Sequence, residues 1–146
     1  MLVGTLACLL MFGLVRAPAA SAASTRAELK LLHAMNNART TRGLARLRIG
    51  AGLQTGAHAW AVYLRRRNLF RHYGGLTNGT SENIGWLTCR QGWAAVLVRM
   101  WLASPAHRAN LLDRGARRTG VGVSRGPYTY SGTRYSCVRM AVTRFH

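Results

Sequence analysis

Acid is what this chain has least of. Among 146 residues there are three carboxylates, Glu28, Glu82 and Asp113, against twenty-one basic side chains, giving a formal net charge of +18 and a pI near 11.8. Chemistry that runs on paired carboxylates therefore has almost no material here. Most arginines have no acidic partner within the chain, so their counterions come from outside, as phosphate or carboxylate polymers, anionic lipid head groups, nucleic acid or salt. A GC-rich coding bias is the bland alternative, since Lys30 is the only lysine.

Other absences narrow the field further. The chain has no H-E-x-x-H, no G-x-S-x-G, no P-loop and no paired C-x-x-C, which excludes the local signatures of zincins, α/β-hydrolases, P-loop nucleotide hydrolases and zinc ribbons. It also has no apolar run long enough to span a bilayer comfortably. Leu2 to Val15 has the length of a signal-peptide core, and the small residues from Ala17 to Ala23 supply A-x-A-like cleavage positions. Residues 1–23 read as a secretory signal and 24–146 as one domain. Arg16 lies on the far side of the apolar run, so an upstream start or an uncleaved anchor is the alternative.

Export changes how cysteine is read. Cys8 falls in the leader, leaving Cys89 and Cys137. Outside the cytosol such a pair forms a disulfide more often than a metal site. Joined, the two close a loop of about 48 residues, which chain entropy values at about 4 kcal/mol. Two buried free thiols are the alternative.

What is present has helical rhythm first and strand rhythm last. Thr25-Arg26-Ala27-Glu28 fits a capping box, which makes Glu28 structural, and opens a helix through Leu31, Met35 and Ala38 that stops near Gly43. Leu53, Ala57, Trp60, Ala61 and Leu64 line one face of a second helix, ending before Gly74-Gly75. Trp93, Val96, Leu97, Met100 and Trp101 mark a third as core. Ser104-Pro105 starts a short fourth with Ser as N-cap and Pro at N1. Gly120 to Val123 and Tyr135 to Phe145 read as antiparallel strands, with the turn at Pro127 or at Ser131-Gly132. Helices followed by strands make the class α+β.

Few side chains remain for chemistry. His33 and His58 lie within predicted helices and read as ordinary, partly buried histidines; His146 reads as a loose terminal residue. His107, at N3 of the fourth helix, lies in a positive field that keeps its imidazole neutral, the state a metal ligand needs. His72 is placed in the last turn before Gly74-Gly75, and Glu82 in a polar loop after the Asn78-Gly79 turn signal. The spacings between His72, Glu82 and His107 match no local metal motif. A purely structural Glu82, holding the loop through an arginine or backbone amides, is the competing reading.

The ordered blocks Asn36-Asn37-Ala38-Arg39, Phe70-Arg71-His72, Ser81-Glu82-Asn83-Ile84-Gly85 and Trp101 to Leu112, with the strand Gly120 to Val123, resemble the CAP domain of cysteine-rich secretory proteins, antigen 5 and pathogenesis-related proteins, in its bacterial secreted branch. The resemblance spans about Leu31 to Phe145. It implies an α–β–α sandwich with a small antiparallel sheet between helical layers, and a cleft in which His72, Glu82 and His107 hold a divalent metal, zinc first, or a small ligand. Ser81 stands where the family usually has glycine. The second cleft glutamate of many animal and plant members has no counterpart near Trp101.

If all three side chains ligated a metal, no carboxylate would be left as general base. The expectation is therefore a secreted, non-enzymatic binding module, extracellular or retained at the cell envelope, whose basic surface meets anionic envelope polymers or lipids. A metal-dependent peptidase or esterase using the same cleft is the alternative. Nucleic acid, suggested by charge alone, is disfavoured by the leader and by the lack of a recognised nucleic-acid motif.

Overall fold

The structure is a computed structural model that describes residues 24–77 and 79–146. The proposed signal, residues 1–23, and Asn78 of the proposed turn lie outside the described residues. No helix among them is long and apolar enough to cross a membrane.

Four helices and four strands follow in the order α1 (Arg26–Thr40), β1 (Arg48–Ile49), α2 (Ala51–Arg66), β2 (Ser81–Thr88), α3 (Trp93–Ala103), α4 (Pro105–Leu111), β3 (Arg118–Tyr130) and β4 (Thr133–Phe145). The capping box forms as the sequence predicts: Thr25 Oγ1 accepts from Glu28 N, and Glu28 Oε2 accepts from Thr25 N. Gly43 takes φ +70° beyond the end of α1. The β3–β4 hairpin turns at Ser131-Gly132, both with positive φ, the conformation that matches strand twist in a two-residue loop. Pro127 is inside β3, at the register shift between Gly126 and Tyr128.

The sheet runs β1-β3-β4-β2, antiparallel except for the two-residue β1, which joins β3 in parallel. It is therefore mixed rather than wholly antiparallel, and it separates two cores. On one face Leu31 and Met35 of α1, Leu97 and Trp101 of α3, and Leu111 of α4 pack against Val121, Val123, Ala141 and Phe145. On the other, Ala57, Ala61 and Leu64 of α2 pack against Ile84, Val138, Met140 and Val142. This is the expected α–β–α sandwich. Cys89 and Cys137 are joined, tying the end of β2 to β4.

The GVGV sequence has a packing reason. Val121 and Val123 fill the first core, while Gly120 and Gly122 face α2 so closely that a Cβ on either would overlap the backbone of Leu53 or Ala57. α2 thus lies directly on the sheet. Gln54 of α2 pairs with both backbone groups of Val121, at 2.8 and 3.0 Å, and Glu28 Oε1 accepts from Val123 N. These side chains occupy the edge of β3 that the short β1 leaves open, which blunts it against strand addition.

Arg39, fully buried, donates to the carbonyls of Ala45, Leu111, Asp113 and Ala116, and Asn36 pairs with both backbone groups of Leu47. The N-x-x-R of α1 is therefore a structural clamp on the segments after α1 and α4. Replacing Gly122 with Ala should overpack helix backbone against sheet. We expect Gly122→Ala to cost about 3 kcal/mol in urea unfolding, with Gly52→Ala, at a helical position that meets open space, neutral or stabilising by up to about 1 kcal/mol.

Candidate functional site

Glu82 lies on strand β2 rather than in a polar loop. Its side chain is only 1% exposed, and a buried carboxylate needs donors for both oxygens. Oε1 accepts from His72 Nδ1 at 3.1 Å and from Tyr73 N at 3.0 Å. Oε2 accepts from Arg144 Nε at 3.1 Å, across the Glu82–Arg144 register of β2 and β4. The Arg144 guanidinium in turn stacks 4.6 Å from the Tyr73 ring centre. His72 is not in a helical turn, because α2 ends at Arg66 and the chain from Leu69 to Tyr73 is irregular. The Glu82 bonds hold its end at His72 and Tyr73, while Trp60 Nε1 donates to Arg71 O and the Tyr128 hydroxyl to Leu69 O.

His107 reaches the same region from the opposite side. Asn83, fully buried, donates to His107 O at 2.9 Å and accepts from Asn110 Nδ2 at 2.9 Å, and Asn110 also donates to Glu82 O. This amide ladder seats α4 on the free edge of β2, where Trp101 Nε1 also donates to Ile84 O at 3.1 Å. The rings of His72 and His107 are then 6.5 Å apart, centre to centre. Burial pushes the His107 pKa below its ordinary 6.5, and the neighbouring His72 adds to the shift. The neutral ring expected from the helix field is thus favoured here by desolvation and a like charge. Ser104 stands at the N-cap, although its side chain makes no capping bond.

The structure thus brings His72, Glu82 and His107 into one region, with unequal roles. His72 is 55% exposed and turns Nδ1 to Glu82, leaving Nε2 outward. Glu82 faces His72, Tyr73 N and Arg144. Among the described residues no three of His, Cys, Asp and Glu form a group that could hold a metal ion. The donor set fits two imidazoles, one backed by a carboxylate, and not a closed three-ligand cage. Beside His107 an apolar cleft of about 450 Å3 opens between β2 and α3, walled by Phe70, Trp86, Met100 and Trp101. Met100, expected in the core, is 50% exposed and forms part of that wall.

Two features were not legible in the pattern. Arg144, the partner of Glu82, lies 62 residues away and is one of many arginines. Glu28 is more than a cap: its Oε1 is 2.7 Å from His58 Nδ1, so the chain's two glutamates are each buried against a histidine. His146 is not loose, since its backbone bonds to Arg117 and Arg118. Asp113 accepts from Gly115 N in the loop after α4, away from the cleft.

A three-layer sandwich with a histidine-lined cleft beside an edge strand defines the class as a CAP-type domain. The family model of the cysteine-rich secretory protein family matches residues 32–139, and the chain belongs to that family. An outer surface protein from Borrelia burgdorferi shares the fold at TM-score 0.60 and 20% identity, covering 84% of this chain and 94% of its own. An extracellular protein containing an SCP domain from Bacillus anthracis matches at TM-score 0.57 and 20% identity, over 81% of this chain and 39% of its own. NaASP2, in a structure with Zn2+, matches at TM-score 0.59 and 14% identity, over 88% of this chain and 82% of its own. No curated protein sequence matches. At these identities the likeness carries the fold alone.

Because folding lowers the His107 pKa, the unfolded chain binds its proton first. The native state therefore loses stability as pH falls through 6.5 toward the lowered native value, and the loss levels off below it. Urea midpoints measured from pH 8 to 4 should fall more steeply for the wild type than for His107→Gln. Parallel curves would remove this assignment.

Proposed function

We propose that this is a secreted CAP-type binding module, with residues 1–23 as its signal and 24–146 as the functional domain. Its cleft holds a divalent metal, zinc first, or a small ligand, and its basic surface meets anionic envelope polymers or lipids. The observation that carries the cleft reading is the buried Glu82 holding His72 Nδ1 while His107 is held beside it in a field that favours neutrality. A carboxylate behind a histidine fixes the ring and raises its basicity toward a metal at the other nitrogen. His72 and His107 would be the ligands, and Glu82, already engaged by three donors, would orient His72. A bound zinc would supply Lewis acidity and a site for water. NaASP2 with Zn2+ supports the choice of metal, and the outer-surface and extracellular proteins of like fold support export.

A hydrolase at the same place would need a free general base within reach of the water. Glu82 does not offer one, since both its oxygens already accept hydrogen bonds and one is ion-paired with Arg144. Binding without turnover is the reading these contacts support.

Calorimetric titration with Zn2+ tests it. Wild type should bind, His72→Ala and His107→Ala should each lose at least about tenfold in affinity, and Glu82→Gln should lose about 10- to 100-fold through the outer shell. Unchanged affinity in both histidine variants would remove the metal reading. Hydrolysis of a peptide or ester panel that Glu82→Gln abolishes with the fold intact would replace it with the enzyme. Capture by an anionic polymer should weaken steeply as salt rises, and salt-independent capture would sink the surface reading.

A further inference from the structure

A second cavity lies away from the histidine cleft. It measures about 780 Å3 and opens between α1, the β2–α3 connection and the β3–β4 pair, beside the Cys89–Cys137 bridge. Five basic side chains line it, Lys30, His33, Arg90, Arg125 and Arg139, and no acidic one does.

The contacts of Arg139 leave this charge uncompensated, and the start of α3 adds to it. Arg125 and Arg139 are direct cross-strand partners on β3 and β4, a pairing of like charges that costs stability unless something lies between them. Nη1 of Arg139 is buried and has no hydrogen-bond partner, although the guanidinium rests over the Trp93 ring at 5.2 Å. Burial and the neighbouring Arg125 both push the Arg139 pKa down. Finally, α3 begins at the cavity wall with Gly92 as its N-cap, and no side chain caps its first amides. Cations and a helix N-terminus converging on one cavity make an oxyanion site.

We propose that this cavity binds a phosphate group, held between the Arg125–Arg139 pair and the N-terminus of α3. Trp93 and the alanines at 34, 94 and 95 give the same cavity an apolar wall, so a phosphate ester with a larger body fits as well as the free ion. The proposal rests on the reading of the basic surface as an anion-binding face, and it names one place and one chemistry on that face.

The test is titration of the protein with inorganic phosphate, followed by calorimetry, beside sedimentation with phosphatidylglycerol and phosphatidylcholine vesicles. Saturable binding of one phosphate is expected, weakened at least tenfold by Arg139→Gln. Ala95→Glu, which puts a carboxylate at an exposed first-turn position where it favours the helix, should weaken it as much without unfolding the protein. Arg46→Gln removes an equal charge outside the cavity and should change affinity less than twofold. If phosphatidylglycerol capture falls in parallel with phosphate affinity in Ala95→Glu, the phosphate belongs to a lipid head group. If capture is unchanged while phosphate affinity falls, the ligand is the free ion or a soluble ester. Absence of saturable phosphate binding, or equal losses in Ala95→Glu, Arg139→Gln and Arg46→Gln, would overturn the proposal. Polymer capture that stays salt-dependent in that case would leave the surface reading standing.

Discussion

The Glu82 carboxylate is the constraint on which the rest of the site depends. A charge removed from water is tolerated only when its lone pairs are filled, and here the donors come from two separate pieces of chain. His72 and Tyr73 come from the irregular segment after α2, and Arg144 from the far strand of the hairpin. Meeting that requirement, together with the bonds of Trp60 and Tyr128, holds a segment with no regular secondary structure of its own. It also fixes which nitrogen of His72 faces outward, and so gives the cleft a direction.

Scarcity of acid explains how the remaining arginines are accommodated. Two of the three carboxylates are buried against histidines, so they are not available to the surface guanidiniums. The interior uses carbonyl oxygens instead, most fully at Arg39, whose four acceptors are all backbone. Polar side chains likewise close the sheet. Gln54 and Glu28 cover the edge of β3, and Trp101 and Asn110 cover that of β2. The histidine cleft is built by the same contacts that protect the β2 edge, so stability and site geometry are shared.

The two cavities divide the molecule chemically. The cleft beside His107 is apolar, with that imidazole as the one ionisable side chain in its wall. The cavity at the start of α3 is cationic and carries a buried donor without an acceptor. Both are walled in part by α3, the first by its later turns together with β2 and His107, the second by its first turn together with α1 and the β3–β4 pair.

The sequence by itself determined whatever depends on neighbours in the chain. The capping box at Thr25 and Glu28, the apolar faces of the helices and the charge imbalance are local or additive properties, whereas of the two turn positions the sequence left open, Pro127 and Ser131-Gly132, the structure chose the second. The ordered motif blocks carried the family and with it the sandwich. Tertiary structure decided everything that depends on which distant groups meet. Ser81 to Thr88 reads as polar, yet it is a strand because its alternate residues face two different cores. Met100 has core spacing, yet it borders a cleft because α3 ends beside an edge strand. His58 has the spacing of an ordinary helical histidine, and only packing puts Glu28 against it, just as only packing brings Arg144 from β4 to Glu82. Burial and pairing are properties of the packed chain, so no spacing along the sequence could have shown that Nη1 of Arg139 is buried without an acceptor.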